Sequence, residues 1–196
     1  MINKLLKWKG VKLVFVAGKN NRRVSDFISN LVGDFCRVKR IKNPKSFLGK
    51  IPLLFGDVVL LNDEEVDLDK LDKFFSSFLE IVVLVNSEDL NREKQITSKL
   101  SKENTILVDY ENRDRVPGKR MKRFLSFGTD SEADFFVSDI NKNDKTNFKI
   151  NYDGSSVPVW IAKNSSEEDV LSVASGLGVG VLLGINFVSL TQKLKE

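Results

Sequence analysis

Apolar residues along this chain fall into runs with two different periods. Four short runs are almost continuously apolar and rich in β-branched residues: Lys12–Ala17 (KLVFVA), Asp57–Leu61 (DVVLL), Ile81–Val85 (IVVLV) and Thr105–Val108 (TILV). Runs without alternation suit strands covered on both faces, as in a parallel sheet. Between them the spacing becomes helical. Val24, Phe27, Ile28, Leu31 and Val32 share one face of Arg23–Val32. Leu68, Leu71, Phe74, Phe75, Phe78 and Leu79 share one face of Leu68–Leu79, and a weaker pattern covers Asp89–Leu100. Strand–helix alternation of this kind predicts an α/β fold.

The pattern changes near residue 122. Arg123–Phe127, Phe135–Val137, Asn147–Tyr152 and Val157–Ile161 are short, partly alternating runs, with turn residues at Asn141–Asp144 and Asp153-Gly154. They predict an antiparallel extension of the same sheet. The uncharged stretch Val170–Thr191 is about long enough to cross a bilayer, and Gly176, Gly178, Gly180 and Gly184 would allow close helix packing. Gly184-Ile185-Asn186, however, reads as a helix stop followed by an N-cap. The favoured reading is two helices, a buried one over about 167–183 and an amphipathic one over about 187–195. The expected architecture is a three-layer, mostly parallel α/β sheet with a short antiparallel extension and two C-terminal helices. No linker divides it, so 1–196 reads as one domain with halves at 1–121 and 122–196.

Composition narrows the chemistry. The 196 residues contain no His and one Cys. Triads, Cys–His dyads, His-ligated metals and imidazole bases are therefore excluded. A single Cys and the absence of a signal-peptide pattern point to a reducing, cytoplasmic setting. The net charge of +4 is unevenly spread. Residues 1–50 hold thirteen Lys/Arg and two acids, which is +11, leaving −7 on the rest. A basic third of this kind fits an anionic partner, whether nucleotide, nucleic acid or anionic membrane, or simply solvated lysines. MINKLLKWKG could form a short amphipathic segment.

The segment with most chemical content is Lys12–Val32. A strand ends at Ala17-Gly18, a polar loop follows, and a helix begins near Arg23. Open α/β sheets place phosphates at such junctions, where free N–H groups and the helix dipole favour an anion. Gly18, Lys19, Asn20, Asn21, Arg22, Arg23 and Ser25 are the candidate ligands. Every βαβ unit has such a junction, so the segment alone is weak evidence.

Collinear matches across residues 11–195 resemble the central, ATP-binding domain of the Mur ligases, the UDP-N-acetylmuramoyl-peptide synthetases that build the peptidoglycan stem peptide. Val16, Gly18 and Asn20 match the strand that runs into T-G-x-N-G-K-T-T. Asp57–Asn62 resembles the strand ending in a metal-binding Glu, Ile81–Asn86 the strand ending in T-N, and Thr105–Asn112 the strand ending in N-x-D-D. Arg123–Ile140 resembles the "fG…AD" region. Gly184-Ile185 and the tail after it resemble the family's closing helices. The resemblance implies ATP and Mg²⁺ as cofactors and acid–amino acid ligation as the reaction.

The departures fall on that chemistry. Asn21 stands in place of the second loop Gly, Arg22 in place of the P-loop Lys, and Arg23 in place of the metal-binding hydroxyl. The metal-binding Glu aligns with Asn62, followed by Asp63 and Glu64, which are substitute ligands or merely solvated loop acids. The family's His after T-N is missing, and its G-x-H-N segment is replaced by Lys163–Asp169 (KNSSEED). Lys94, fifteen positions before Asp109, falls about where the family has a carbamylated lysine, or is an ordinary surface lysine. The family's UDP-sugar and amino-acid domains do not fit within 196 residues. Three functions follow. The first is a Mur-ligase-like domain without catalysis that has a scaffolding, regulatory or anion-binding role, with other cell-wall ligase components as protein partners. The second is a divergent ATP-dependent amide ligase subunit acting with other chains. The third is a basic module for nucleic acid or anionic membrane.

Overall fold

The structure, a computed structural model, describes residues 10–18, 20–41, 57–62, 64, 75, 80–86, 90–116, 123–162 and 165–194. The amphipathic start, Lys19, Asp63, residues 163–164 and most of the 68–79 helix lie outside the described residues. Among the described residues nine strands form one sheet: β1 (Lys12–Gly18), β2 (Val38–Arg40), β3 (Val58–Asn62), β4 (Glu80–Asn86), β5 (Thr105–Asp109), β6 (Arg123–Gly128), β7 (Phe135–Lys142), β8 (Thr146–Tyr152) and β9 (Ser155–Ile161). Their order is β2-β3-β1-β4-β5-β6-β7-β8-β9. The helices are α1 (Asn21–Gly33), α2 (Leu90–Ser98), α3 (Glu167–Leu182) and α4 (Phe187–Lys193), with a 3₁₀ turn at Tyr110–Arg115.

The unbroken apolar runs become central strands because successive residues feed two cores. Val14 and Val16 of β1, Val58 and Leu60 of β3, and Leu107 of β5 face one core, together with α1, α3 and α4. Leu13, Phe15 and Ala17, Val59 and Leu61, and Ile106 and Val108 face the other, with Ile96 of α2 and Phe75. Phe75 is helical and meets Phe15 edge-on at 5.3 Å. Side chains of period two, apolar at both phases, produce this three-layer packing.

Strand direction corrects the sequence reading after residue 122. β6 is parallel to β5, from Thr105↔Arg123 to Asp109↔Phe127. β7 is parallel to β6, through Phe127↔Phe135 and Gly128↔Phe136. Only the β7–β8 and β8–β9 pairings are antiparallel, so β8 alone runs against the other strands. A parallel connection normally needs a dozen residues or more, because the chain must return to the strand's start. Here β7 starts level with the end of β6, so residues 129–134 only step sideways. Asp134 Oδ2 fixes that step by accepting from the Ser126 amide at 2.7 Å and the Ser126 hydroxyl at 2.9 Å. The Asp153-Gly154 turn is as expected: φ is +48° and +73°, the type I′ conformation that matches strand twist.

Residues 170–191 form two helices. α3 ends in a Schellman arrangement, with the Ile185 amide donating to Gly180 O (3.1 Å), the Gly184 amide to Val181 O (2.9 Å), and Gly184 at φ +92°. Asn186 caps α4 by accepting from the Ser189 amide at 3.1 Å. The glycine row serves packing: Gly176 faces Phe27 of α1, Gly178 faces Leu107 and Phe135, and Gly180 faces Leu190 of α4. Among the described residues, no helix is long and apolar enough to cross a membrane.

The edge strand β2 carries little apolar surface and is held by charge. Arg37 Nε and Lys39 Nζ lie 3.2 and 3.0 Å from the buried carboxylate of Asp57, just before β3.

Candidate functional site

Gly18, Asn62, Asn86, Asp109 and Gly128 end neighbouring parallel strands, so their chain exits share the carboxyl edge of the sheet. The β1–α1 loop turns sharply there. Gly18 has φ +109° and Asn20 is left-handed at φ +56°, a conformation asparagine tolerates better than most residues. Asn20 O accepts the first α1 bond from the Val24 amide at 3.0 Å, but its side chain does not cap the helix.

That side chain reaches across to α3. Asn20 Nδ2 donates to Glu168 Oε2 at 2.8 Å, and Arg23 Nη2 forms an ion pair with Asp169 Oδ1. Asp169 is held in place by a capping box: Ser166 N donates to its Oδ2 at 2.8 Å, and its own amide donates to Ser166 Oγ at 3.2 Å. As a motif, KNSSEED shows only a loss, the replacement of G-x-H-N. The S-x-x-D pattern Ser166–Asp169 was the available signal that a helix, with acids in its first turn, begins at this edge.

The other candidate residues separate. Asn21 is buried. Ser25 is buried and donates its hydroxyl to Asn62 Oδ1. Arg22 is exposed and lines a cleft of about 290 Å³ with Ser25, Asp26, Arg40, Leu60, Asn62 and Glu64. Arg40 in that cleft is paired with Asp26. Lys94 is exposed on α2 and does not line this cleft.

A larger cleft, about 760 Å³, opens at the ends of β5 and β6. Six carboxylates line it: Asp109, Glu111, Asp114, Asp130, Glu167 and Glu168. Tyr110, also in the lining, donates its hydroxyl to Glu132 Oε2 at 2.7 Å, and that bond is the main reason its pKa lies above the usual phenol value. Asp109 is nearly buried and N-caps the 3₁₀ turn by accepting from the Glu111 amide at 3.1 Å. Burial raises its pKa, a shift partly opposed by that bond.

A carboxyl with a raised folded-state pKa costs stability once it ionises. The cost is absent below the unfolded pKa, develops as pH rises, and is complete above the folded pKa. Asp109→Asn keeps a side-chain acceptor for the cap and removes the buried charge. It is therefore expected to stabilise the protein at pH 7, with the gain shrinking to zero as pH falls through the carboxylate range. Thermal melts of both proteins from pH 3 to 7 check this; a gain independent of pH contradicts it.

These donors do not fit a magnesium nucleotide. Two groups able to meet phosphate, the Asn20 amide and the Arg23 guanidinium, are already bonded to carboxylates. The wide cleft beside them is lined by acids, which repel polyphosphate. Among the described residues, no group of three or more Asp, Glu or Cys side chains is placed to hold a metal ion.

The sheet order and the helices packed on it define a Mur-ligase-like fold. The chain is similar to MurF from Acinetobacter baumannii (TM-score 0.71, 13% identity, 100% of this chain and 49% of that one). It is also similar to MurF from Thermotoga maritima in complex with ADP (TM-score 0.67, 17% identity, 97% of this chain and 51% of that one). Folylpolyglutamate synthase from Thermotoga maritima shares the fold as well (TM-score 0.65, 12% identity, 98% of this chain and 59% of that one). The chain thus spans about half the length of the MurF chains it matches. No protein-family model matches its sequence, and no curated protein does.

Proposed function

We propose that this chain is a Mur-ligase-like domain related to peptidoglycan stem-peptide synthesis that does not itself catalyse ATP-dependent ligation. Its role is scaffolding or regulatory, with other cell-wall ligase components as its protein partners. The observation that carries this reading is the engagement of Asn20 and Arg23 by Glu168 and Asp169. ATP-driven amide formation needs positive charge on the transferring phosphoryl group, supplied mainly by Mg²⁺ and a P-loop Lys. Each lost electrostatic donor costs on the order of 10²–10³ in rate. Here Arg22 replaces the Lys and is directed to a separate small cleft, Arg23 is ion-paired, and Asn62 replaces the acidic metal ligand.

A basic module draws on free cations, and in the described part of the basic third most cations already have partners. Of the six described Lys/Arg in residues 1–50, five are bonded internally: Lys12 to Leu183 O, Arg23 to Asp169, Arg37 and Lys39 to Asp57, and Arg40 to Asp26.

A thermal-shift titration with ATP and Mg²⁺, run beside a phosphate-release assay, tests the proposal. Ligand at 100 times its Kd stabilises by about 2.7 kcal/mol. For a domain of this size that is a rise of roughly 5–10 °C. The expected result is a shift below about 1 °C and no phosphate release above background. A rise of several degrees that requires Mg²⁺, accompanied by turnover, overturns the reading in favour of a ligase subunit. A rise that ignores Mg²⁺ points to a residual anion site instead.

A further inference from the structure

The wide cleft at the ends of β5 and β6 holds acids that lack the cations given to acids elsewhere in the protein. Asp26, Asp34, Asp57, Asp139 and Asp169 are each ion-paired. Among the described residues, Asp109, Glu111, Asp114, Asp130 and Glu167 of the cleft are not, and no Lys or Arg lines its wall. The neighbouring Arg113 lies over the Tyr110 ring at 4.8 Å instead. Local roles account for part of the set. Glu167 suits the first turn of α3, where the helix dipole favours an acid. Glu168 accepts from Asn20 Nδ2, and Asp130 Oδ1 accepts from the Glu132 amide at 2.9 Å. Asp109 is different. It is 8% exposed, and capping the 3₁₀ turn uses only its Oδ1. Asp109 lines the cleft, so the oxygen left without a hydrogen-bond partner among the described residues opens onto it. Burial is the larger, and the nearby Glu111 charge the smaller, of two effects that raise its pKa. A buried, half-satisfied carboxylate beside another acid weakens the fold, which marks a group kept for binding and not for stability.

The placement of these acids decides the kind of cation. They come from three segments: the 3₁₀ turn, the β6–β7 step and the first turn of α3. They stand around about 760 Å³, the size of a small-molecule site. Among the described residues, no three of them converge to hold one metal ion. Separate carboxylates around an open volume match separate ammonium groups on a flexible chain. Leu171 and the Tyr110 ring add apolar surface for the methylenes between those groups. We propose that this cleft binds a small organic polycation of the polyamine class. Asp109 Oδ2 is the buried anchor for one ammonium group, and Glu111, Asp114, Asp130 and Glu167 receive the others. The chain as a whole is positive, at +4, so the attraction is local: a cleft lined by one sign of charge focuses its field on the ligand. The inference goes beyond the non-catalytic reading above and does not depend on it.

The test is calorimetric titration of spermidine into the full chain at neutral pH and low salt, with putrescine and Mg²⁺ compared at matched ionic strength. Spermidine is expected to bind at least about tenfold more tightly than putrescine, because its additional ammonium meets a further carboxylate. Mg²⁺ should bind more weakly than either. Asp109→Asn keeps an acceptor for the 3₁₀ cap and should weaken spermidine at least about tenfold, as loss of one charge-assisted bond at a buried oxygen warrants. Glu111→Gln, on the exposed rim, should weaken it about threefold and carries the test alone if Asp109→Asn does not fold. Asp139→Asn, which changes an acid outside the cleft, should leave the affinity unchanged. Absence of spermidine binding overturns the proposal. Mg²⁺ binding as tight as spermidine, or folded cleft variants with unchanged affinity, also overturn it, since both mean diffuse counterion association. A trilysine peptide that binds more tightly than spermidine overturns it too, by assigning the cleft to a basic protein segment. Phosphate release from MgATP is read separately: failure here leaves the non-catalytic reading standing, and turnover there leaves the cleft assignment standing.

Discussion

Phe135→Ala is expected to lower the unfolding free energy by about 3–5 kcal/mol, the range for truncating a fully buried aromatic. Phe135 opens β7 at the point where the sheet changes from parallel to antiparallel, and it is completely buried. Its ring stacks on Tyr152 with centroids 4.2 Å apart and planes 3° from parallel. Tyr152 in turn meets Phe187 of α4 at 5.8 Å. The ring also lies against α3 at Gly178. Phe135 therefore joins β7 to β8 and α3 directly and to α4 through Tyr152, and elements anchored on several sides collapse poorly into the space it leaves. Loss of the stacked pair adds about 0.5–1.5 kcal/mol to lost burial. Urea denaturation should show a lower midpoint with an unchanged slope. A loss below about 1 kcal/mol would mean the aromatic chain is not a packing centre.

Gly178→Val is expected to cost about 1–3 kcal/mol through overpacking, although valine in place of helical glycine is intrinsically favourable. A Cβ at 178 would lie 2.8 Å from Leu107 Cδ2 and 3.2 Å from two Phe135 ring carbons. Leu107 and Phe135 are both fully buried, so neither can move into solvent to make room. The same added methyls should be better tolerated beside the space left by Phe135→Ala. In a double-mutant cycle the two changes should be non-additive by about 0.5–3 kcal/mol, with the pair less damaging than the sum. Strict additivity would place the clash elsewhere.

The contrast between the two halves shows what the sequence could encode visibly. Strands β1, β3 and β5 were legible because burial on both faces demands unbroken apolar runs. The α3–α4 break was legible because Gly184 and Asn186 perform local tasks that their residue types alone specify. The direction of β6 and β7 was not legible, because it depends on a stepped register that no local pattern records. β2 was missed as well: Val38–Arg40 has no apolar run, and its place at the edge depends on Asp57, some twenty residues later. The candidate site divided in the same way. Gly18 and Asn20 announced the loop through their residue types. The partners of Asn20 and Arg23 lie about 150 residues away in sequence, beyond any spacing argument.

The sheet order also bears on how the chain assembles during synthesis. β8 and β9 each pair with the strand made immediately before them, so 135–161 can zip up from local contacts as it emerges. β1 is made early yet lies between β3 and β4, and Val16 meets Leu84 only once a further 68 residues have followed it. For that interval a strand destined for burial on both faces has unpaired edges, the condition in which nascent chains are most prone to mispairing. Lys9 and Lys12 on one side of that strand and Lys19, Arg22 and Arg23 on the other place charge where it opposes edge-to-edge aggregation.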